Sequence, residues 1–223
     1  MPCNIGYRSV TEAVVKAPSP TVLQTRTSAP QVDAELLDQL GVQDPVFLAW
    51  MTDLDPSPLL DVALQRMLAA MGTASGIDMS IQNGQLLARA VVSAGDQATA
   101  ERAMAERGRR FQLEVLRLVA ELLDYEMSEQ SAGNSSGSWV LEGDKQEPSQ
   151  IRRFLRITFN ISGQAEIRIE HAASESDLQA EEARVIALAR RLGIPITRSR
   201  RSSAGQPIAP GTVHKHKNRG GSK

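Results

Sequence analysis

Residues 76–92, GIDMSIQNGQLLARAVV, carry the pattern that decides the fold class, which is a β-hairpin closed at Asn83-Gly84. A two-residue type I′ turn needs positive φ at both central residues, and Asn-Gly adopts this conformation readily. Such a turn sets a register that gives one apolar face and one pair of opposite charges. The cross-strand pairs would be Ile81 with Leu86, Met79 with Ala88, Ile77 with Ala90 and Asp78 with Arg89.

A second hairpin is predicted in residues 154–169, FLRITFNISGQAEIRI. Apolar residues alternate with polar ones in both halves, at Leu155, Ile157 and Phe159 and then at Ala165, Ile167 and Ile169. The two apolar sets share a face only if the loop has an odd number of residues. Residues 161–163 fit a three-residue loop with Gly163 in the left-handed conformation.

An amphipathic helix is expected after each hairpin. The first runs from Asp96 to about residue 127 and has a buried stripe at Phe111, Val115, Leu118, Leu122 and Tyr125. The second begins at Ser174, where the S-x-x-D pattern forms a capping box, and ends at Gly193. The order of strand, strand and helix therefore occurs twice, in units 76–128 and 151–196. We expect an α+β fold with antiparallel sheet, and a possible internal duplication.

The remaining segments are assigned to simpler structures. Residues 1–30 indicate a short strand, at 7–15, followed by a linker that contains proline. Residues 31–72 predict a module of three short helices, two of which begin at Asp-Pro pairs that combine an N-cap with proline at the first helical position. Residues 194–196 suggest a short edge strand, and residues 197–223 suggest a disordered basic tail.

Composition excludes several classes of protein. The single cysteine, Cys3, cannot form an intramolecular disulfide and supplies too few thiolates for a structural zinc site. No apolar run approaches the roughly 18 residues of a membrane span, and no secretory signal pattern is present. His214 and His216 form an i, i+2 pair without a third fixed ligand. We therefore expect no metal, no cofactor and no membrane contact, and we expect the protein to lie in the cytoplasm.

The charge of the chain is strongly asymmetric although its net charge is only −1. Residues 197–223 carry seven basic and no acidic side chains, which leaves 18 basic and 26 acidic residues in 1–196, a net charge of −8. A basic arm on an acidic body indicates an arm that contacts a polyanion or an acidic partner, or one that folds back on its own acidic body. The candidate contact residues in the arm are Arg198, Arg200, Arg201, Lys215, Lys217 and Arg219.

These features favour a non-catalytic intracellular binding or assembly protein whose basic arm contacts nucleic acid or an acidic protein partner. No nucleophile elbow or phosphate-binding Gly-rich motif is present in the sequence, so the protein is not expected to be an enzyme. The alternative is a small enzyme or ligand-binding domain with a pocket between sheet and helices. Its polar residues would be Arg168, Glu170 and His171, because a histidine in that position can titrate near neutral pH.

Overall fold

A computed structural model of the chain describes residues 20–30, 34–72, 76–93, 95–130, 139–146, 152–159, 165–170 and 174–196. These residues contain five helices and seven strands. The helices are α1 (Ala34–Leu40), α2 (Pro45–Asp53), α3 (Pro56–Met71), α4 (Gln97–Leu122) and α5 (Glu175–Arg191). The strands are β1 (Thr21–Arg26), β2 (Ile77–Gln82), β3 (Gln85–Val92), β4 (Glu126–Gln130), β5 (Trp139–Gln146), β6 (Arg152–Phe159) and β7 (Ala165–Glu170). The chain is α+β with antiparallel sheets, as its sequence predicts.

The three predicted N-terminal helices are present as α1, α2 and α3, and their ends have local causes. Asp44 accepts hydrogen bonds from the backbone N–H groups of Val46 and Phe47 at the start of α2. Asp55 accepts one from Ser57 N at the start of α3. Each cap satisfies donors that have no partner inside the helix. Gly41, with φ of 71°, ends α1.

Strands β1, β3 and β2 form a three-stranded antiparallel sheet in that order. The predicted hairpin register is confirmed, with Ile81 opposite Leu86 and Asp78 opposite Arg89. Asn83 and Gly84 have φ values of 52° and 70°, as the type I′ turn requires. The turn therefore determines which side chains of β2 and β3 face the core.

Strand β1 corrects one expectation, because we assigned residues 21–26 to a linker. These residues pair with β3, with Leu23 opposite Ala90 and Thr25 opposite Ala88. Most side chains of β1 are exposed, since the strand lies at the edge of the sheet. An edge strand of this kind has little apolar alternation to reveal it. The strand expected at 7–15 lies outside the described residues.

Strands β4, β5, β6 and β7 form a four-stranded antiparallel sheet in sequential order. The register predicted for the second hairpin is confirmed, with Phe159 opposite Ala165 and Leu155 opposite Ile169. The loop expected at 161–163 lies outside the described residues. Strands β4 and β5 were not predicted, and they extend the second hairpin into a full sheet.

Helix α4 passes through Gly108 without a break but ends at Leu122, about five residues before its predicted end. The chain then turns at Asp124, which has φ of 65°, and residues expected in the helix belong to β4. Leu118 is only 6% exposed, so the predicted buried stripe is confirmed at that position. Helix α4 packs against α3 and against both sheets, and thus occupies the centre of the fold.

Helix α5 begins as predicted, since the hydroxyl of Ser174 accepts a hydrogen bond from Asp177 N. The edge strand expected at 194–196 is wrong. Ile194 N donates instead to Ala189 O at the end of α5, and the side chains of Ile194 and Ile196 are buried. The segment folds back onto its own helix because burial of two isoleucines there replaces pairing with a sheet.

Candidate functional site

The structure places two of the three predicted pocket residues on a solvent-exposed surface. Arg168 Nε lies 2.9 Å from Glu170 Oε1, and the two side chains are 65% and 47% exposed. Both point away from the core, because the neighbouring residues Ile167 and Ile169 face the inside of the four-stranded sheet. His171 lies outside the described residues. The two described members form an exposed ion pair and do not converge in a cleft.

The predicted contact residues of the arm also lie outside the described residues. They are Arg198, Arg200, Arg201, Lys215, Lys217 and Arg219. The described part of the chain ends at Ile196, whose carbonyl oxygen accepts a hydrogen bond from Arg190 Nε. The arm therefore follows a residue whose position is determined by its contact with α5.

The outer face of the four-stranded sheet is covered by paired charges. Arg152 Nε lies 2.7 Å from Asp144 Oδ2, and Arg156 Nη2 lies 3.0 Å from Glu142 Oε1. The hydrogen bond to Asp144 raises the pKa of Arg152 above its ordinary value. These cross-strand pairs satisfy charges of both signs at the surface. The described residues of this face accordingly carry no unopposed positive field of the kind that binds phosphates.

The inner face of the same sheet contains a buried charge cluster, which we define as Lys145, Arg153, Glu181 and Tyr125. Glu181 is 1% exposed. Its Oε1 atom contacts Lys145 Nζ and accepts a hydrogen bond of 3.1 Å from the Tyr125 hydroxyl. Its Oε2 atom lies 3.6 Å from Arg153 Nη1. A buried carboxylate is tolerated when cations and hydroxyl donors surround it in this way.

Further ion pairs connect the cluster to the N-terminal helices. Arg184 Nη1 lies 3.5 Å from Glu181 Oε2, and Arg184 Nη2 lies 2.5 Å from Asp44 Oδ2. Asp44 also caps α2, and the hydrogen bond from Phe47 N, with those from Val46 N and Arg184, holds the pKa of Asp44 below its ordinary value. Helix α5 is thereby connected both to the four-stranded sheet and to the start of α2. These ion pairs hold α5 against the sheet and against α2. The carboxylates of Glu181 and Asp44 are already paired with cations of the same chain.

Cations from elsewhere in the chain also bind the C-terminal ends of three helices that lack basic residues in their own last turns. Arg191 donates to Leu54 O at the end of α2, and Arg107 donates to Gly72 O at the end of α3. Lys145 donates to Leu123 O at the end of α4. Cations at helix C-termini satisfy carbonyl groups and complement the helix dipole. Much of the basic content of the body therefore serves its own fold.

The sequence contains a signal for the buried charges that our predictions did not use. Glu181 lies three residues after Leu178 and four before Val185, so it falls on the apolar stripe of α5. Arg153 continues the alternation of inward-facing residues in β6. A charged residue at an apolar position of a periodic pattern indicates a buried ion pair, because isolated charges are rarely buried.

In the described part of the chain, no three His, Cys, Asp or Glu side chains are placed to hold a metal ion. No helix within the described ranges is long and apolar enough to cross a membrane. No protein-family model, no curated protein and no solved structure matches the chain.

Proposed function

We propose that the protein is a non-catalytic binding or assembly protein of the cytoplasm, whose basic arm, residues 197–223, contacts nucleic acid or an acidic protein partner. The observation that carries the proposal is the separation of charge along the chain. The arm has seven basic and no acidic residues, whereas residues 1–196 have a net charge of −8. Such an arm attracts phosphates or clustered carboxylates over distances of about 10 Å at moderate salt.

The pairing of charges in the body supports the same proposal. Glu181 is engaged by Lys145 and Arg153, while Arg107 and Arg191 bind helix ends. Cations engaged in this way have fewer donors to offer a partner. The basic residues of the arm are therefore the better candidates for contact with a polyanion.

The alternative, a small enzyme or ligand-binding domain with its pocket near His171, has less support. Arg168 and Glu170 already pair with each other on the solvent side of the sheet. General acid or base catalysis requires side chains that converge on a substrate. An exposed surface pair supplies no such convergence.

The proposal is tested by affinity capture from a cell extract with three proteins, each with and without nuclease treatment. They are the full chain, a version that ends at Ile196, and a full-length variant in which the seven basic residues of the arm are changed to Gln. We expect the full chain to retain partners that both altered proteins lose. Loss of those partners after nuclease treatment would assign them to nucleic acid, whereas their persistence would assign them to protein.

Circular dichroism controls for folding, because Arg190 contacts Ile196 and the shortened protein must keep this end of α5 intact. Identical sets of partners for all three proteins would contradict the proposal.

A further inference from the structure

A groove lies between the three-stranded sheet and α4. Its volume is about 320 Å³. Thr25 of β1 and the adjacent Thr27 form one wall, while Arg109 and Gln112 of α4 form the other. This volume is within the range of about 300 to 1,000 Å³ that small-molecule sites occupy.

The floor of the groove is apolar. Leu86 and Ala88 of β3 and Met104 of α4 line it, and all three side chains are buried. Gly108 lies in the lining, and apart from its chain neighbours and the nearby backbone of α4 no heavy atom would come within 4 Å of a Cβ atom placed there. The glycine therefore leaves open space above the floor, where an apolar group could lie against the sheet.

The walls offer hydrogen-bond donors. Arg109 is half-buried and contributes a guanidinium group to the lining. Thr27 Oγ1 accepts a hydrogen bond of 2.9 Å from Leu86 N, which leaves the hydroxyl hydrogen of Thr27 able to donate. A ligand oxygen in the groove could therefore accept hydrogen bonds from the Thr27 hydroxyl and from the guanidinium group of Arg109.

The charge of the lining determines the kind of ligand. Among the described residues that line the groove there is no carboxylate, and Arg109 supplies the positive charge, because the side chain of Arg26 alternates with Thr25 to the other face of β1. A planar guanidinium group is suited to bind carboxylate or phosphate oxygens. Threonine hydroxyls at Thr25 and Thr27 can donate to the same oxygens.

We propose that the groove binds an organic anion, in which a carboxylate or phosphate group is attached to an apolar body. The oxyanion lies against Arg109 and the threonine hydroxyls, and the apolar body covers Leu86, Ala88 and Met104. The lining residues belong to α4, β3 and the segment 25–27, and the proposal adds a small-molecule ligand to the macromolecular partner proposed above.

The probe for this site is 8-anilinonaphthalene-1-sulfonate, a fluorescent dye with an anionic group on an aromatic body. We expect saturable binding by the full chain, with a dissociation constant below about 1 mM. Arg109→Gln should weaken binding about tenfold or more, since it removes charge-assisted hydrogen bonds. Gly108→Leu should abolish binding by filling the groove. Arg102→Gln, an exposed change on the same helix, is the matched control and should leave the affinity unchanged.

Competition identifies the chemistry of the anion. Octanoate and octyl phosphate should displace the dye, and their relative affinities distinguish a carboxylate site from a phosphate site. Octan-1-ol has the same apolar body without the charge and should displace the dye poorly. A version that ends at Ile196 should bind the dye like the full chain, because the residues on which the proposal rests all precede Ile196.

Several results would overturn the proposal. The first two are the absence of saturable dye binding and wild-type affinity in both Arg109→Gln and Gly108→Leu. The others are displacement of the dye by octan-1-ol as effective as that by octanoate or octyl phosphate, and loss of dye binding in the version that ends at Ile196. Thermal unfolding of each variant shows whether a loss of binding reflects the groove or the fold. If Arg109→Gln does not fold, Gly108→Leu still decides the question, because its new side chain enters open space.

Discussion

The guanidinium Nη1 atom of Arg107, in α4, donates a hydrogen bond of 2.8 Å to the carbonyl oxygen of Gly72, the C-cap of α3. Helix α3 has no basic residue in its own last turn, so α4 supplies the cation. Arg107 is only 8% exposed. This contact joins the end of the N-terminal helical module to the central helix.

Replacement of Arg107 by Met should lower the free energy of unfolding by about 1 to 3 kcal/mol, because the Gly72 carbonyl loses a charged donor at a partly buried site. Urea denaturation measures this change. Arg102→Met, on the exposed side of the same helix, is the control and should stay within about 0.5 kcal/mol of wild type. Equal stability of the two variants would show that the contact contributes nothing.

The buried charge cluster should be strongly coupled. Glu181→Gln removes the negative charge that Lys145 and Arg153 share, and we expect a loss of about 3 to 5 kcal/mol from the free energy of unfolding. The exposed change Glu166→Gln, on β7, should have almost no effect.

A double-mutant cycle isolates the interaction within this cluster. The double variant Lys145→Met, Glu181→Gln should lose less stability than the sum of the two single variants. Each single change leaves one buried group without its charged partner, whereas the double change removes both members of the pair. Additive losses would show that Lys145 and Glu181 do not act as a pair.

The turn at Gly84 should tolerate no β-branched residue. Its φ is 70°, and an added Cβ atom would lie 2.8 Å from Cγ of Pro30. We expect Gly84→Val to destabilise the protein by about 1 to 3 kcal/mol, measured as a lower melting temperature.

Gly108→Ala is the contrasting substitution and should stabilise the protein by about 0.5 to 1 kcal/mol. Gly108 lies inside a helix, and its Cβ atom would meet open space. A result in which both glycine variants melt at the wild-type temperature would be inconsistent with the turn geometry and with the helix assignment.

Asp44 should make stability depend on pH in the acid range. Its pKa in the folded state is below the ordinary value of 3.8, because it accepts hydrogen bonds from Phe47 N and Val46 N and pairs with Arg184. A lowered pKa means that the charged form stabilises the fold above about pH 4. This contribution is lost as the pH falls through the lower pKa of the folded state.

Comparison with Asp44→Asn isolates this effect, since Asn keeps the side-chain carbonyl that caps the helix but carries no charge. The difference in urea midpoint between the two proteins should be constant from about pH 5 to pH 7 and should shrink below pH 4. A difference that grows at low pH would contradict the assigned direction.

Local patterns predicted the hairpins and the helix starts. The register of β2 and β3 follows from Asn83-Gly84, and the start of α5 follows from Ser174. In each case the determining residues lie within a few positions of one another. Turn and capping chemistry acts at this range, so a single sequence is sufficient to predict it.

Long-range pairing was not predictable in the same way. Strand β1 is an edge strand whose exposed side chains show little alternation, and β4 is a short polar strand at the edge of the other sheet. The contact of Lys145 with Glu181 joins residues 36 positions apart. Such contacts depend on how the sheet and α5 pack, and the periodicity of either segment alone does not determine that packing.

The central claim, that the arm is the contact with a polyanion, is tested most directly by the salt dependence of binding to a short labelled DNA duplex. Fluorescence anisotropy gives the association constant of the full chain and of a variant with Arg198, Arg200 and Arg201 changed to Gln. A third protein with Lys at these three positions keeps the charge and is the matched control.

If the three arginines each contact a phosphate, the Gln variant should bind more weakly to every duplex sequence. The slope of log association constant against log salt concentration should then fall in magnitude by up to about 2.7, whereas the Lys variant should keep nearly the wild-type slope. The same affinity and slope in the full chain and in the Gln variant would contradict the claim.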